Sequence, residues 1–223
     1  MTMYWSHQVK RVFLWLGIVA LIGGAAFGMI KLAGRTPASQ TALLANAVSA
    51  SDQIRGNKDG KVVLVEYSDF QCPACKIFYS FLKNIEGKHG DKIQFVYRNF
   101  PLSQHTNAAI MAQAAEAAGK QGKFWEMHDM IFENQDAWAN LKSADAEKTA
   151  VSYAQSLGLN IDQFKKDMNS QEIKTKIEND YKGGIKSGVN ATPTFFLNGK
   201  KLPPPTSYGD FENTVVQAIN ANP

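Results

Sequence analysis

The sequence predicts an α/β fold, in which a mixed sheet carries a helical insertion and is preceded by one transmembrane helix. Three observations predict it. The segment 61–98 has the pattern of strand, amphipathic helix and strand. Helical spacing continues from about 105 to 188, and a strand, a hairpin and a helix follow. Near the start of the chain, 12–30 is a run of 19 residues without a charge. Strands that alternate with helices in this order favour one sheet with helices on both faces.

The apolar run near the N-terminus is long enough to cross a hydrocarbon core of about 30 Å. We therefore predict a short cytoplasmic segment at 1–11, a transmembrane anchor or uncleaved signal-anchor at 12–32, and a linker at 33–57. The folded domain is predicted at 58–223, with its helical insertion at about 105–188. A cleaved signal peptide is the alternative, but its apolar core would be shorter and its cleavage site closer.

The charge balance excludes one class of function. The chain has 24 basic and 20 acidic residues, a formal net charge of +4. Four basic residues and no acidic residue lie in 1–35, so the remainder is formally neutral. Because no basic run is interleaved with aromatic residues, a nucleic-acid-binding surface is not expected.

The elements of the domain follow from local patterns. The β-branched runs at 61–67 and 92–98 are typical of buried strands. Between them, 73–86 has helical spacing, with Pro73 at the first helical position and Gly87 as the cap. The apolar face of this helix is predicted to contain Ala74, Ile77, Phe78, Phe81, Leu82 and Ile85. After the insertion, we predict a strand at 194–197, a hairpin turn at Asn198-Gly199 and a helix at 211–219.

The two cysteines of the chain, Cys72 and Cys75, lie where the first strand turns into the helix. A purely structural disulfide is one interpretation, but so small a loop gives the least stabilisation, about 2 kcal/mol. A metal site is a second interpretation, but a closed zinc site needs four ligands. The four histidines form no pair at metal-binding spacing.

Redox exchange, the third interpretation, explains where the cysteines lie. At the N-cap, a Cys72 thiolate would accept hydrogen bonds from free backbone N–H groups and would lie at the positive end of the helix dipole. Both effects lower the pKa of a thiol. We therefore predict that Cys72 is the nucleophile, that Cys75 resolves the mixed disulfide, and that Pro73 and Ala74 tune the thiolate.

Glu66 interrupts the apolar strand six residues before Cys72. Burying an unpaired carboxylate is costly, so its presence favours a functional role. We predict that it is a buried acceptor of the Cys75 proton. The alternative is a carboxylate that reaches water at the end of the strand.

Other polar residues near the motif are expected to be structural. His105 is expected to cap or pack a helix, and His128 to lie in the core. Asp69 and Phe70 are expected to shape the groove around Cys72.

The order of these motifs resembles the thioredoxin superfamily, and in particular the DsbA-like thiol:disulfide oxidoreductases of bacterial envelopes. The stretches that carry the resemblance are VEYSDFQCPACKIFY, FVYRNFPL, AAEAAGKQGKFWEMHDMIF and NATPTFFLNGK. The resemblance implies a thioredoxin-like sheet, a cis peptide before Pro193, and substrate binding by Thr192 and Pro193 beside the disulfide. The best-known oxidase of the family has a histidine where this chain has Ala74. That difference implies a less depressed Cys72 pKa and a less oxidising disulfide.

The motifs and the resemblance together predict a membrane-tethered envelope enzyme that introduces disulfides into exported proteins. Its N-terminus would be cytoplasmic and its catalytic domain periplasmic or extracellular, since disulfides form in such compartments. The expected partners are exported or secreted proteins with cysteines and, by family analogy, a quinone-linked membrane protein that reoxidises the chain. No cofactor or metal beyond the Cys72–Cys75 disulfide is expected. The alternatives are a disulfide reductase or isomerase on the same site, and a peptide-binding or chaperone module.

Overall fold

The computed structural model describes residues 42–222. The strands are β1 (Gln53–Gly56), β2 (Val62–Ser68), β3 (Ile93–Asn99), β4 (Thr194–Leu197) and β5 (Lys200–Lys201). The helices are α1 (Pro73–His89), α2 (Ala108–Gly119), α3 (Phe124–Glu133), α4 (Gln135–Trp138), α5 (Ser143–Ser156), α6 (Ile161–Met168), α7 (Gln171–Lys186) and α8 (Tyr208–Ala221). The predicted segments 1–11 and 12–32 and the start of the linker lie outside the described residues. Across 42–222, the helices lack the combination of length and apolar character that a membrane span requires.

One sheet contains all of these strands in the order β1-β3-β2-β4-β5. β2 and β3 run parallel, with Val62 opposite Ile93, and α1 makes the crossover between them. The other neighbouring pairs are antiparallel. The predicted mixed α/β sheet is therefore confirmed.

Helices cover both faces of the sheet. On one face, Leu64 and Phe95 pack with apolar side chains of α1 and α8. On the other face, Tyr67 and Phe100 lie against α7. A Cβ atom on Gly184 of α7 would come within 2.7 Å of the Phe100 ring. Only a glycine therefore permits this close approach of the helix to Phe100.

The helices of the insertion share a core that continues into the cysteine motif. Small alanine side chains of α2 occupy its centre, together with the large side chains of Met127, Phe132 and Trp138. Cys72 and Cys75 belong to the same cluster of buried residues. The insertion therefore supplies one wall of the region around the two cysteines.

The prediction that 33–57 is a linker is wrong for its second part. β1 pairs antiparallel with β3 along its whole length. Further towards the N-terminus, the backbone N–H of Leu44 donates to the carbonyl of Gly199 at 2.8 Å. The folded domain therefore includes 42–57. Backbone hydrogen bonds attach this segment to the sheet. Because such bonds need no apolar side chains at regular spacing, the sequence pattern did not reveal the segment as part of the domain.

A buried ion pair also holds this segment. The guanidinium of Arg98, on β3, donates to both carboxylate oxygens of Asp52 at 2.8 and 3.0 Å. Each side chain is only 4% exposed. The same guanidinium donates to the backbone carbonyls of Asn46 and Ala47 at 3.0 Å.

Helix α1 differs from its prediction in length and in its buried face. It extends to His89, and Gly87, the predicted cap, lies inside it. Ile77, predicted to be buried, is 57% exposed. The buried positions are Cys75, Tyr79, Leu82 and Ile85. Tyr79 belongs to this face because its ring stacks on Phe132 of the insertion.

Candidate active site

Cys72 and Cys75 lie at the N-terminus of α1, directly after β2. Cys72 is the N-cap residue, with φ −72° and ψ 123°, and Pro73 follows at the start of the helix, as predicted. Both thiols are free, and the residues are 7% and 1% exposed respectively. Cys72 is thus the more accessible of the two, beside the backbone N–H groups that the first turn of a helix leaves unpaired.

The pKa of Cys72 is lowered from 9.0 to about 5. The largest cause is a hydrogen bond with the Cys75 side chain. Burial acts in the opposite direction, while Thr192 and the backbone N–H groups of Cys75 and Ala74 lower the pKa further. The predicted lowering is confirmed, but its main cause is the second cysteine rather than the end of the helix.

The pKa of Cys75 moves in the opposite direction. Burial raises it well above 9.0, and the hydrogen bond with Cys72 and the charge of Glu66 raise it further. A thiolate at position 72 and a thiol at position 75 therefore coexist near neutral pH. This separation suits the predicted roles of attacking and resolving cysteine.

The Thr192-Pro193 loop lies against the sulfur of Cys72. The peptide bond between these two residues is cis, as predicted. The Cys72 thiol donates to the carbonyl of Thr192 at 3.4 Å. The Thr192 hydroxyl is buried and has no hydrogen-bond partner. This hydroxyl is therefore free to bond a Cys72 thiolate, which lowers the pKa of Cys72.

Glu66 is buried inside β2, with 2% of the residue exposed. The alternative interpretation, a carboxylate that reaches water at the strand end, is therefore wrong. Burial raises the pKa of Glu66 from 4.5 to about 8; the side chain of Ser68 opposes this, and the charge of Cys72 adds to it. A group that titrates near neutral pH and interacts with Cys75 is suited to exchange a proton with that thiol.

Two hydroxyl groups that the sequence analysis did not single out lie beside Glu66. Tyr97 is opposite Glu66 in the register of β2 and β3, and Ser68 lies two residues further along the same face of β2. Both hydroxyls are buried and have no hydrogen-bond partner of normal geometry. Ser68 is nevertheless close enough to lower the pKa of both Glu66 and Cys75. Buried polar groups are usually paired, so this cluster retains bonding capacity next to the Cys75 thiol.

Asp69 fixes the loop that precedes Cys72. One carboxylate oxygen accepts from the backbone N–H of Gln71 at 2.7 Å. The other accepts from the backbone N–H of Leu102 at 2.8 Å and lies 2.7 Å from His105 Nδ1. The Cys72 N–H donates to the Asp69 carbonyl at 3.1 Å. His105 therefore fixes the Asp69 carboxylate, and this carboxylate in turn fixes the loop that precedes Cys72.

Ala74 contributes to the site through its backbone. Its side chain is exposed, and its N–H group is among the causes that lower the pKa of Cys72. No side-chain donor stands between the two cysteines. Ala74 therefore acts on the Cys72 thiol through its backbone, and the tuning predicted for Pro73 stays a prediction.

The histidines in the described part of the chain are not arranged as metal ligands. His128 lies in the core, as predicted, and its ring contacts Phe70 and Tyr97. Burial lowers its pKa to about 4. Within 42–222, no group of three or more His, Cys, Asp or Glu side chains is arranged to hold a metal ion.

A reduced Cys-Pro-Ala-Cys pair at a helix start, facing a cis-proline loop beside a mixed sheet, defines a thiol–disulfide exchange protein. A family model described as Thioredoxin matches residues 49–217, and the chain belongs to this family. Its fold is similar to those of solved DsbA proteins, the group that the sequence motifs indicated.

The fold is similar to those of three solved structures. BdbD from Bacillus subtilis, in its oxidised form, is 23% identical, with a TM-score of 0.69 over 81% of this chain and 100% of that one. Alpha-DsbA1 from Wolbachia pipientis is 23% identical, with a TM-score of 0.70 over 78% and 94%. A thioredoxin-like oxidoreductase from Silicibacter pomeroyi DSS-3 is 24% identical, with a TM-score of 0.65 over 77% and 94%. At these identities the likeness concerns the fold.

The sequence is also similar to part of longer curated proteins named Na(+)/H(+) antiporter NhaA. The protein from Salinispora arenicola (strain CNS-205) is 33% identical over 202 residues, which cover 83% of this chain and 30% of that protein. The protein from Herminiimonas arsenicoxydans is 35% identical over 168 residues, which cover 75% and 25%. The chain thus spans about a quarter to a third of the length of these relatives.

Proposed function

We propose that this chain is a membrane-tethered thiol oxidase that introduces disulfides into exported proteins. In this proposal the Cys72–Cys75 pair is the redox-active centre and needs no further cofactor. Glu66 exchanges a proton with Cys75. Thr192 and Pro193 hold the client segment beside the sulfur of Cys72.

The observation that carries the proposal is the position of Cys72, at the N-cap of α1 and 3.4 Å from the Thr192 carbonyl, where its neighbours lower the pKa of its thiol to about 5. A stabilised thiolate favours the reduced form of the pair, so the disulfide is correspondingly more oxidising. The same thiolate is a good leaving group when a client cysteine displaces it. Both consequences favour the transfer of a disulfide to the client.

The exchange runs in two displacements. A client thiolate attacks the Cys72 sulfur, the Cys72–Cys75 bond breaks, and Cys75 leaves and takes a proton from Glu66. A second client thiolate then attacks the client sulfur of the mixed disulfide, and Cys72 leaves as a thiolate. The client is oxidised by two electrons, and the cysteine pair is reduced by two. When the pair is oxidised again, Glu66 accepts the proton of Cys75.

The site of action is proposed to be the cell envelope. Disulfides persist in oxidising compartments, which favours a periplasmic or extracellular domain and a cytoplasmic N-terminus. The uncharged run at 12–30 supports a single-pass anchor by its length. By analogy with the family, a quinone-linked membrane protein reoxidises the pair. The antiport named for the curated relatives is not part of the proposal, because the match covers a minor part of those proteins.

Ala74 favours a second candidate, a reductase or isomerase that uses the same cysteines. A side-chain donor at this position would stabilise the thiolate further, and the chain has none there. A less stabilised thiolate makes the disulfide less oxidising and moves the direction of electron flow towards reduction. Both candidates use the same cysteine pair, and the redox potential of that pair distinguishes them.

The test is to mix the oxidised chain with a reduced, unfolded protein that has one pair of cysteines. We expect one client disulfide to form for each Cys72–Cys75 pair reduced, and no disulfide to form with Cys72→Ser. If the oxidised chain leaves the reduced client unchanged, while the reduced chain rapidly reduces the oxidised client, the oxidase is contradicted and the second candidate is favoured.

A further inference from the structure

Gln135, on the short helix α4 of the insertion, spans the loop that carries Cys72. Its Nε2 lies 2.7 Å from the carbonyl oxygen of Phe70 and 3.0 Å from that of Cys72. Because both partners are carbonyl oxygens, only the NH2 side of the amide can face them. The residue is 3% exposed, so these contacts are made away from water.

The backbone around Gln135 is fixed by further contacts to the same region. Trp138, 0% exposed, donates from its indole to the Ile131 carbonyl at 2.9 Å. Gln71 donates to the Ala139 carbonyl at 2.7 Å, and its side-chain oxygen accepts from the Asn107 N–H at 2.7 Å. The insertion therefore holds the cysteine loop at residues 70, 71 and 72. A donor on a rigid support is the arrangement that positions a reactive group most effectively.

The contact with the Cys72 carbonyl has an electrostatic consequence for the sulfur. This carbonyl also accepts from the Lys76 N–H at 3.2 Å, so it is held within the first turn of α1. With the carbonyl held there, the N–H groups of Ala74 and Cys75 remain directed at the sulfur, where they lower the pKa of Cys72. The amide of Gln135 also adds the positive end of its own dipole to this region.

We propose that Gln135 is a positioning residue that sets the energy of the Cys72 thiolate by holding the carbonyl groups of Phe70 and Cys72. The inference rests on the proposed exchange at Cys72 and adds to it a part for the helical insertion. Gln135 touches no client and acts through the loop backbone. The redox strength of the pair therefore depends on a contact between residues that lie 63 positions apart.

The test replaces Gln135 by methionine in the full chain, which keeps the length of the side chain and removes the donor. The Cys72 pKa is measured from thiolate absorbance, and the exchange constant from equilibrium with glutathione at pH 7. We expect the acid dissociation constant to fall about tenfold. The equilibrium constant for oxidation of the cysteine pair by glutathione should then rise about tenfold, which corresponds to about 30 mV in reduction potential.

The matched control is Gln53→Met. Gln53 donates to the buried carboxylate of Glu116 at 2.7 Å, so this variant also loses an amide hydrogen bond, but away from the cysteine loop. We expect its two constants to stay within threefold of the wild-type values. If the Gln135→Met constants also stay within threefold, the proposal is overturned.

Gln135→Glu keeps the proposal testable if Gln135→Met does not fold. A carboxyl group can donate only while it is protonated. The exchange constant of Gln135→Glu should therefore approach the wild-type value in acid and depart from it as the pH rises. A difference that does not vary with pH would overturn the proposal. Failure of the proposed function would appear instead as a wild-type chain that oxidises no client, whatever the constants of the Gln135 variants.

Discussion

Cys72 and Cys75 lie together at the start of α1, and hydrogen bonding from the Cys75 side chain to a Cys72 thiolate is the largest cause of the lowered Cys72 pKa. The same contact raises the pKa of Cys75. Of the two thiols, the more accessible one, Cys72, therefore loses its proton first. The resolving cysteine thus stabilises the reduced state before it takes part in any displacement.

Substitution of Cys75 tests this relationship. Cys75→Ala removes the donor, and Cys75→Ser replaces it by a hydroxyl that can still donate. We expect the Cys72 pKa, measured from thiolate absorbance, to rise clearly in Cys75→Ala and to stay closer to about 5 in Cys75→Ser. Equal pKa values in the two variants would show that the lowering comes from the helix start and from Thr192.

Glu66→Gln should make the reduced chain more stable at neutral pH. In the unfolded chain Glu66 ionises near 4.5, and in the folded chain its pKa is about 8. Between these values the unfolded state loses a proton that the folded state keeps, so the free energy of unfolding falls as the pH rises. Glutamine does not ionise, so the variant avoids this loss. We expect its free energy of unfolding to exceed that of the wild type by on the order of 3 kcal/mol at pH 7. Denaturant unfolding across pH 3 to 9 measures the difference, which should vanish below about pH 4.

The same variant should be slower in the step that uses Cys75. Loss of a positioned proton acceptor costs about 100-fold or more in such a step. Stopped-flow measurement of the attack of Cys75 on a mixed disulfide formed at Cys72 gives the rate, and greater stability combined with a slower attack by Cys75 is the expected pair of results. A wild-type rate in Glu66→Gln would remove Glu66 from the proton transfer.

Ala74→His should make the disulfide more oxidising. The side chain at this position is exposed at the start of α1, so an imidazole there can reach the Cys72 thiolate and stabilise it. We expect about a tenfold shift of the glutathione equilibrium towards the reduced pair, which corresponds to about 30 mV. Lys76→His, a change of side chain two residues further along α1, is the control and should shift the equilibrium by less.

Asp52→Asn should destabilise the domain, although the residue lies in the segment first assigned to a linker. Burial opposes ionisation of Asp52, but Arg98 outweighs it and lowers the pKa. Removing one partner of a buried ion pair costs about 3–5 kcal/mol. Since the pKa of Asp52 is lowered, its contribution is present above pH 4 and is lost as the pH falls below that value.

Thermal or denaturant unfolding at pH 7 measures this loss, with Asp59→Asn, an exposed aspartate of the neighbouring turn, as the control. Equal stability of the two variants would show that 42–52 does not stabilise the domain and acts as a linker.

The sequence predicts the features of this site that depend on local order. The N-cap position of Cys72 follows from a strand that ends before Cys-Pro. The turn at Asn198 and Gly199 follows from residues that accept positive φ, here 49° and 79°. The cis peptide before Pro193 was implied by the family resemblance alone. For the N-cap and the hairpin turn, a few adjacent residues determine the structure.

The remaining features depend on contacts between distant parts of the chain. Gln135 reaches Cys72 across 63 residues, and Asp52 reaches Arg98 across 46. Neither contact produces a repeating pattern in the sequence, because each is made by one polar side chain that forms hydrogen bonds with a buried group. Tyr97 and Ser68 have the appearance of ordinary strand residues until the register of β2 and β3 places them beside Glu66.

The reduction potential of the Cys72–Cys75 pair in the full chain tests the central claim most directly. Equilibration with glutathione at pH 7, followed by quantification of the reduced and oxidised forms, gives the value. A thiol oxidase with a stabilised Cys72 thiolate should lie well above the potential of thioredoxin, at about −200 mV or higher and towards the value of about −120 mV known for DsbA. A potential near about −270 mV, that of thioredoxin, would contradict the account and identify the chain as a reductase.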